Sequence, residues 1–126
     1  MTASAQDWSI AVVGPCASGK STLVSGLHER GYALARLVPQ EHSGVRSLWA
    51  WRGRPDVLIY LDVGVETINR RQHRTDWTQD ALDEQRHRLR AARQACHLYL
   101  LTDDLTIPQV LERVIDFLES WAPPRI

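Results

Sequence analysis

The residues best suited to chemistry lie in one short stretch, AVVGPCASGKST, at residues 11–22. It combines small apolar residues, a loop with glycine at both ends, a lysine and hydroxyl side chains. Lys20 is the only lysine in the chain, although lysine and arginine together number 15. An ammonium is a compact point charge, whereas a guanidinium is a planar fork with a different binding geometry. Lys20 is therefore expected to serve a ligand rather than the core.

The spacing of the glycines, the lysine and the next hydroxyl matches the pattern G-x-x-x-x-G-K-[ST] at every required position. Phosphate oxygens must come close to backbone N–H groups, and the start of the following helix adds further donors and partial positive charge. Lys20 is predicted to reach the β- and γ-phosphates and to act in catalysis, and Ser21 to hold Mg²⁺. The predicted nucleotide-binding residues are Gly14, Pro15, Cys16, Ala17, Ser18, Gly19, Lys20, Ser21 and Thr22.

Two acids are candidates for the chemistry beside this loop. Asp62 ends the apolar run at 57–61, a position typical of the acid that supports Mg²⁺ in phosphoryl transfer. Glu41 follows the second predicted strand, and ligands of open α/β sheets bind outside the carboxyl ends of strands. Glu41 is therefore predicted to be a catalytic base or a metal support, with His42 close by. The alternative for Glu41 is an acid of a surface loop.

The elements that must position these residues alternate between strand and helix patterns. Apolar or alternating runs predict strands at 8–13, 32–38, 57–63 and 98–101. Periodicity and end signals predict helices at 20–30 before Gly31, at 65–74, at 78–95, and from the capping-box pattern at 106–109. This alternation predicts an α/β fold in which a parallel sheet of four to five strands is covered on both faces.

Three segments resemble the P-loop NTPase superfamily, and within it the small-molecule kinases of the nucleoside monophosphate kinase and shikimate kinase group. They are the loop at 14–21, DVLIYLDVGVETINRRQHR at 56–74 and LYLLTDDLTIPQVLERVIDFL at 98–118. Such kinases have a strand ending in YLD, then a helix with an RR pair and an arginine-bearing lid. The resemblance implies a P-loop NTPase three-layer α/β/α fold, ATP and Mg²⁺ as ligands, and phosphoryl transfer to a small acceptor.

The resemblance also implies roles for single residues. Arg70, Arg71 and Arg74 could fold over the phosphates as a lid, with Arg86 facing them. By likeness to lid arginines, Arg70 is expected to bind nucleotide and Arg74 to act in catalysis; a solvated helix face is the alternative. At Glu41 these kinases place an acid that holds metal and acceptor. At Asp62 they often place a helix-start residue without a metal role, which is the alternative to metal binding. The acceptor-binding insertion of the family is missing, so residues 39–56 must replace it.

The segment VRSLWAWRGRP at 45–55 interleaves tryptophans with arginines. Trp49 and Trp51 are at strand spacing, which would point both rings to one face, where they could stack a base. The alternative is that one or both tryptophans seal the core where the family insertion is missing. The stacking interpretation is the whole basis for a nucleic-acid-end kinase.

Composition limits the classes of function. The 126 residues predict a single P-loop kinase-like domain over 1–126, with flexible tails at 1–7 and 122–126. The formal net charge is zero, so no global field favours nucleic acid or a membrane. No signal peptide and no membrane-spanning run are recognisable, which predicts a cytoplasmic protein. The two cysteines are expected to be reduced thiols.

The sequence therefore predicts an ATP- and Mg²⁺-binding P-loop protein, a kinase that transfers the γ-phosphoryl group to an unidentified small-molecule acceptor. The alternative is a nucleotide-binding or slowly hydrolysing regulatory module, and the third possibility is the nucleic-acid-end kinase. ATP is favoured over GTP because the guanine-selecting motif N-K-x-D is absent from the sequence. A protein partner or a second copy of the chain is a possible source of the acceptor site.

Overall fold

The computed structural model of this chain describes residues 7–51 and 53–121. Its strands are β1 (Ile10–Val13), β2 (Ala35–Leu37), β3 (Val57–Asp62) and β4 (Leu98–Leu101). Its helices are α1 (Lys20–Glu29), α2 (Val65–Gln72), α3 (Gln79–Arg88), α4 (Arg90–Ala95) and α5 (Ile107–Ser120), with 3₁₀ turns at Gln40–His42 and Leu48–Ala50. The predicted tails lie outside the described residues except for Asp7, and so does Arg52 of the Trp/Arg segment.

The four strands form one sheet in the order β2-β1-β3-β4, and every neighbouring pair is parallel. This confirms the predicted α/β class and parallel sheet. The two central strands, β1 and β3, are buried along their whole length, which explains why they are the most apolar runs of the chain. The chain leaves β1 toward one edge and returns to its other side, so a crevice forms beyond the carboxyl ends of β1 and β3.

Helices cover both faces of the sheet. On one face, Ile10 and Ile59 pack in a core cluster with Leu27 of α1 and Leu118 of α5. On the other face, the alternate residues of the same strands pack against α4 and the second 3₁₀ turn. The arrangement is compatible with three α/β/α layers. Within the described residues, no helix is long and apolar enough to cross a membrane.

Helices α1 and α5 pack closely on the first face. The predicted capping box begins α5: Gln109 N donates to Thr106 Oγ1 at 3.2 Å, and Thr106 N donates to Gln109 Oε1 at 2.9 Å. Gly26 lets the helices approach, because a Cβ there would lie 3.1 Å from Leu111 Cδ2. This contact brings the start of α5 beside the start of α1.

The prediction of one helix over 78–95 is wrong, because the chain forms α3 and α4 with a break at Leu89. The Leu89 N–H donates to the carbonyls of both Gln85 and Arg86 at 3.1 Å, a tightening of the last turn of α3. The break sends the apolar residues of this segment in two directions. Leu82 packs with residues near α2, whereas Leu89 and Ala92 pack under the second face of the sheet.

The predicted common face of Trp49 and Trp51 is also wrong. The segment forms a 3₁₀ turn instead of a strand, and Trp49 is 5% exposed whereas Trp51 is 70% exposed. Trp49 seals the core, as the alternative predicted, and the Arg54 guanidinium lies 5.7 Å from its ring centroid. The two tryptophans therefore do not form a joint platform for a base.

Candidate functional site

The glycine loop (residues 14–19) joins β1 to α1 at the crevice between the central strands. Gly14 lies so close to β3 that a Cβ would stand 2.0 Å from the Leu61 carbonyl oxygen, a distance no side chain tolerates. Ala17 and Gly19 have left-handed backbone conformations, with φ of 61° and 99°. These conformations turn the chain sharply and aim its backbone into the crevice.

The amino end of α1 has no side-chain cap. Gly19 is its N-cap residue and supplies no acceptor, and the first turn has no acidic residue. By contrast, Thr78 caps α3 and Thr106 caps α5 through their hydroxyl oxygens. The first amides of α1 have no intrahelical acceptors, so this end is suited to an anion. Ser21 and Thr22, the other predicted ligands on α1, are exposed beside it.

The structure brings the predicted catalytic residues Lys20 and Glu41 together. Lys20 Nζ lies 2.9 Å from Glu41 Oε2, and the two side chains are only 7% and 5% exposed. The ammonium also donates to the carbonyls of Gly14 at 2.8 Å and Pro15 at 2.7 Å, so its three donors are all used. The expectation that Lys20 serves a ligand and not the core is therefore wrong in part, because this buried pair also supports the fold.

Glu41 belongs to the first 3₁₀ turn, and packing of this turn on α3 fixes its position. Gln40 is fully buried, and its amide donates to the carbonyls of Val45 at 2.6 Å and Arg88 at 3.3 Å. Arg88 Nη1 in turn donates to the Glu41 carbonyl at 3.3 Å. The surface-loop alternative for Glu41 is therefore wrong.

Two buried polar atoms at this site have no partner. Of the described residues, four have a buried side-chain polar atom that lacks a hydrogen bond, and two of them are Glu41 and Ser18. The atoms are Glu41 Oε1 and Ser18 Oγ, on side chains that flank the glycine loop. Because an unpaired buried polar atom costs about 1–3 kcal/mol, such atoms call for an explanation, and a ligand is one.

Asp62, the second predicted acid, is engaged in a different network. Its carboxylate accepts hydrogen bonds from Val63 N at 2.9 Å, from Arg86 Nε at 3.2 Å and Nη2 at 3.1 Å, and from the Tyr99 hydroxyl at 2.6 Å. Oδ1 accepts three of these hydrogen bonds and Oδ2 accepts one, so both oxygens of the carboxylate have partners. Burial, together with Asp62, raises the pKa of Tyr99 to about 12.

The helix-start alternative for Asp62 is wrong. Helix α2 begins at Val65 with Gly64 as its N-cap, and no side chain caps its amides. The acid beside the start of α2 is instead Asp103, whose Oδ1 accepts a hydrogen bond from Gly64 N at 2.8 Å. Asp62 is an acid at the end of a strand, and its partners are a guanidinium and a phenol.

Of the three predicted lid arginines, Arg71 contacts the glycine loop, and not the favoured Arg70 or Arg74. Its Nη1 donates to the Ala17 carbonyl at 2.7 Å, and its Nη2 donates to the Thr102 carbonyl at 2.8 Å. Burial lowers the pKa of Arg71. Arg70 is exposed on α2, and the exposed Arg74 pairs with Asp76 at 2.8 Å. The described contacts join neither Arg70 nor Arg74 to the loop, and the contact of these two arginines with nucleotide stays a prediction.

Gln85 is a contributor to the site that the sequence reasoning missed. Its Oε1 accepts from Cys16 N at 2.9 Å, and its Nε2 donates to Cys16 Sγ at 3.1 Å. A polar residue between Leu82 and Leu89 on the buried face of α3 was the available signal. Cys16 and Cys96 are both free thiols, as predicted.

A groove of about 800 Å³ opens beside the glycine loop. It runs between α1 and the start of α5. Its polar end contains Ser18, Thr22 and Arg71, and its apolar walls include Leu105, Pro108 and Leu111. The groove therefore continues from the anion-compatible end of α1 to an apolar surface.

Comparison with known proteins adds no family to this geometry. No family model matches the chain, and no curated protein matches its sequence. The function is therefore argued from the residues of the site.

Proposed function

We propose that this protein is a P-loop phosphotransferase of the three-layer α/β/α class, which binds ATP with Mg²⁺ and transfers the γ-phosphoryl group to a small-molecule acceptor. The observation that carries the proposal is the combination at one edge of the sheet. A sharply turned glycine loop meets an uncapped helix start, and the only lysine of the chain lies there against a buried carboxylate with a free oxygen.

The triphosphate is assigned to the glycine loop. Its oxygens accept from the backbone amides of the first turn of α1, which no side chain caps, and from those of the loop, where Cys16 N exchanges Gln85 Oε1 for a phosphate oxygen. Lys20 exchanges the Gly14 and Pro15 carbonyls for β- and γ-phosphate oxygens. This exchange is favourable because anionic phosphate oxygens attract the ammonium more strongly than neutral carbonyl oxygens do.

The adenosine is assigned to the groove between α1 and α5. Its volume, about 800 Å³, lies within the usual range of small-molecule sites. Leu105, Pro108 and Leu111 offer the apolar contact that a purine needs, and the polar end meets the loop. One ligand with an anionic tail and an apolar head accounts for both halves of the groove.

Glu41 is the better placed of the two acids for transfer. It lies beside Lys20 and therefore near the terminal phosphate, and it has a free buried oxygen, whereas the Asp62 carboxylate is fully occupied. Glu41 takes the proton of the acceptor hydroxyl as that oxygen bonds to the γ-phosphorus. The bond from phosphorus to the bridging oxygen breaks, and ADP leaves. Mg²⁺ bound at Ser21 supplies neutralisation of phosphate charge.

The first experiment is calorimetric titration of the full chain with ATP and Mg²⁺, with GTP as comparison. Glu41→Gln is compared with the double variant Lys20→Met/Glu41→Gln, because these two differ only at the lysine and neither contains a buried Glu41 carboxylate without its partner. We expect the double variant to bind ATP about 10- to 100-fold more weakly than Glu41→Gln. Absence of heat with every nucleoside triphosphate on folded protein would overturn the proposal.

The second experiment measures turnover. Fractionated metabolite pools are added to the wild-type protein with ATP, and we expect one compound to accelerate ATP consumption. With that compound, Glu41→Gln is expected to reduce kcat by about 10²- to 10⁴-fold while ATP affinity changes little. Glu112→Gln, an exposed acid on α5, is the matched control and should retain activity. Nucleotide binding without any accelerating compound would favour the regulatory module instead.

A further inference from the structure

Three potential metal ligands converge at the rim of the glycine loop. Cys16 Sγ lies 3.7 Å from His42 Nε2, and the same nitrogen lies 3.8 Å from Glu41 Oε2. One ligand atom from each of the three residues lies within 4.8 Å of the others. We propose that Cys16, Glu41 and His42 form a binding site for Zn²⁺, a property that does not depend on the proposed phosphotransferase activity.

The spacing fits a tetrahedral ion. Zinc bonds of about 2.3 Å to sulfur and about 2.0–2.2 Å to nitrogen or oxygen place tetrahedral ligand atoms about 3.4–3.6 Å apart. The two separations from His42 Nε2, 3.7 and 3.8 Å, are only slightly longer, and the third, between Cys16 and Glu41, is within 4.8 Å, so side-chain adjustments close the site. Because His42 adjoins Glu41 in the same 3₁₀ turn, only Cys16 comes from elsewhere in the chain.

The chemistry of the ligands favours zinc over Mg²⁺. A thiolate, an imidazole and a carboxylate are the ligands of zinc sites, whereas Mg²⁺ prefers oxygen alone. Glu41 Oε2, the oxygen nearest His42, also meets Lys20, whereas the second oxygen of the same carboxylate, Oε1, is buried and has no hydrogen-bond partner. The His42 side chain is 59% exposed, so the ion reaches the site from solvent. The fourth position stays open to a water molecule.

A neighbouring side chain orients Cys16. Gln85 Nε2 donates to Cys16 Sγ at 3.1 Å, the kind of outer contact that orients a metal ligand. Lys20 opposes a cation, since its ammonium lies 2.9 Å from Glu41 Oε2. The thiolate and the carboxylate together balance the charge of Zn²⁺, which limits that repulsion. A bound ion would join the glycine loop to the 3₁₀ turn after β2 and stabilise both.

The test uses the full chain freed of metal by a chelator. Co²⁺ serves as the spectroscopic probe, and Zn²⁺ affinity is measured by competition with a chromophoric chelator. We expect a thiolate-to-cobalt charge-transfer band that Zn²⁺ abolishes and a rise in melting temperature with Zn²⁺. Cys16→Ser should remove the band. His42→Ala should weaken Zn²⁺ affinity more than about 100-fold, since even outer contacts contribute about 10- to 100-fold.

Matched controls separate this site from general thiol or imidazole binding. Cys96→Ser and His87→Ala change the same residue types elsewhere and should keep wild-type affinity and spectrum. The proposal is overturned if no charge-transfer band forms, if Cys96→Ser removes the band, or if His42→Ala binds Zn²⁺ like the wild type. The His42 variant decides the matter even if Cys16→Ser folds poorly, because its side chain is largely exposed.

Discussion

Two acid–base pairs stand at the carboxyl edge of the sheet, and they differ in how completely they are satisfied. Lys20 and Glu41 meet at 2.9 Å, and Arg86 and Asp62 meet at 3.1 Å. Both carboxylates are nearly buried. The Asp62 carboxylate accepts four hydrogen bonds, whereas Glu41 keeps one buried oxygen without a partner.

The difference distinguishes a polar network that stabilises the fold from a polar pair that can still bind a ligand. A fully satisfied network rigidifies the elements that it joins, and Asp62 joins β3 to α3 through Arg86 and to β4 through Tyr99. The Lys20 ammonium, by contrast, is held by two backbone carbonyls and one carboxylate that keeps acceptor capacity. We infer that the Arg86–Asp62 pair fixes the crevice and that the Lys20–Glu41 pair is available to a ligand.

The largest expected effect comes from breaking the available pair. Lys20→Met leaves Glu41 buried and unpaired, so we expect the free energy of unfolding to fall by about 3–5 kcal/mol. Adding Glu41→Gln removes the uncompensated charge and should restore most of that loss. Urea denaturation of the single and double variants measures both values. If the second substitution restores nothing, the loss comes from the loop carbonyls and not from the carboxylate.

Removing the guanidinium of the structural pair should have a smaller effect. Arg86→Met deletes two of the four hydrogen bonds to Asp62 and leaves those from Val63 and Tyr99. We expect a loss of about 1–3 kcal/mol in the free energy of unfolding. ATP affinity, measured by calorimetry well below the melting temperature, should be unchanged. A variant of normal stability that binds ATP weakly would assign Arg86 to the ligand and contradict the comparison.

The elements that the sequence predicts well are those whose code is local. The first five residues of β3 form a continuous apolar run, and α5 begins with a capping box that is complete within residues 106–109. The break at Leu89 has no such local signal, since leucine favours helices and buried residues precede and follow it. Packing decides it, because Leu82 and Ala92 belong to different core clusters.

The site shows the same limit. The spacing of the loop and the position of Glu41 after a strand place both at one edge of the sheet, but spacing does not show that Lys20 and Glu41 touch. The contact between Gln85 and Cys16 depends on the orientation of α3 relative to the glycine loop. Predicting each helix and strand separately does not give that orientation. Gln85, a polar residue in an apolar stripe, is a usable signal. For Arg71 the only signal was its place in the RR pair, which does not distinguish it from Arg70.

The smallest effect concerns the phenol that completes the Asp62 network. Tyr99→Phe removes the 2.6 Å hydrogen bond, which should cost about 1 kcal/mol at neutral pH. The pKa of Tyr99 is raised from 10.0 to about 12, so the folded chain keeps this proton where the unfolded chain loses it. The stabilisation is therefore complete below pH 10 and is lost as the pH rises toward 12.

Urea denaturation at several alkaline pH values, with phenolate absorbance of the folded chain, measures this dependence. Burial also raises the pKa of Tyr32 and Tyr60, so all three tyrosines should ionise above the usual range. Tyr32→Phe, on the other face of the sheet, is the control and should leave the Asp62 network intact. If Tyr99→Phe loses stability between pH 10 and 12 as steeply as the wild type, Tyr99 does not titrate against Asp62. The satisfied pair would then be weaker than its geometry indicates, and its contrast with Lys20 and Glu41 would rest on the unpaired oxygen alone.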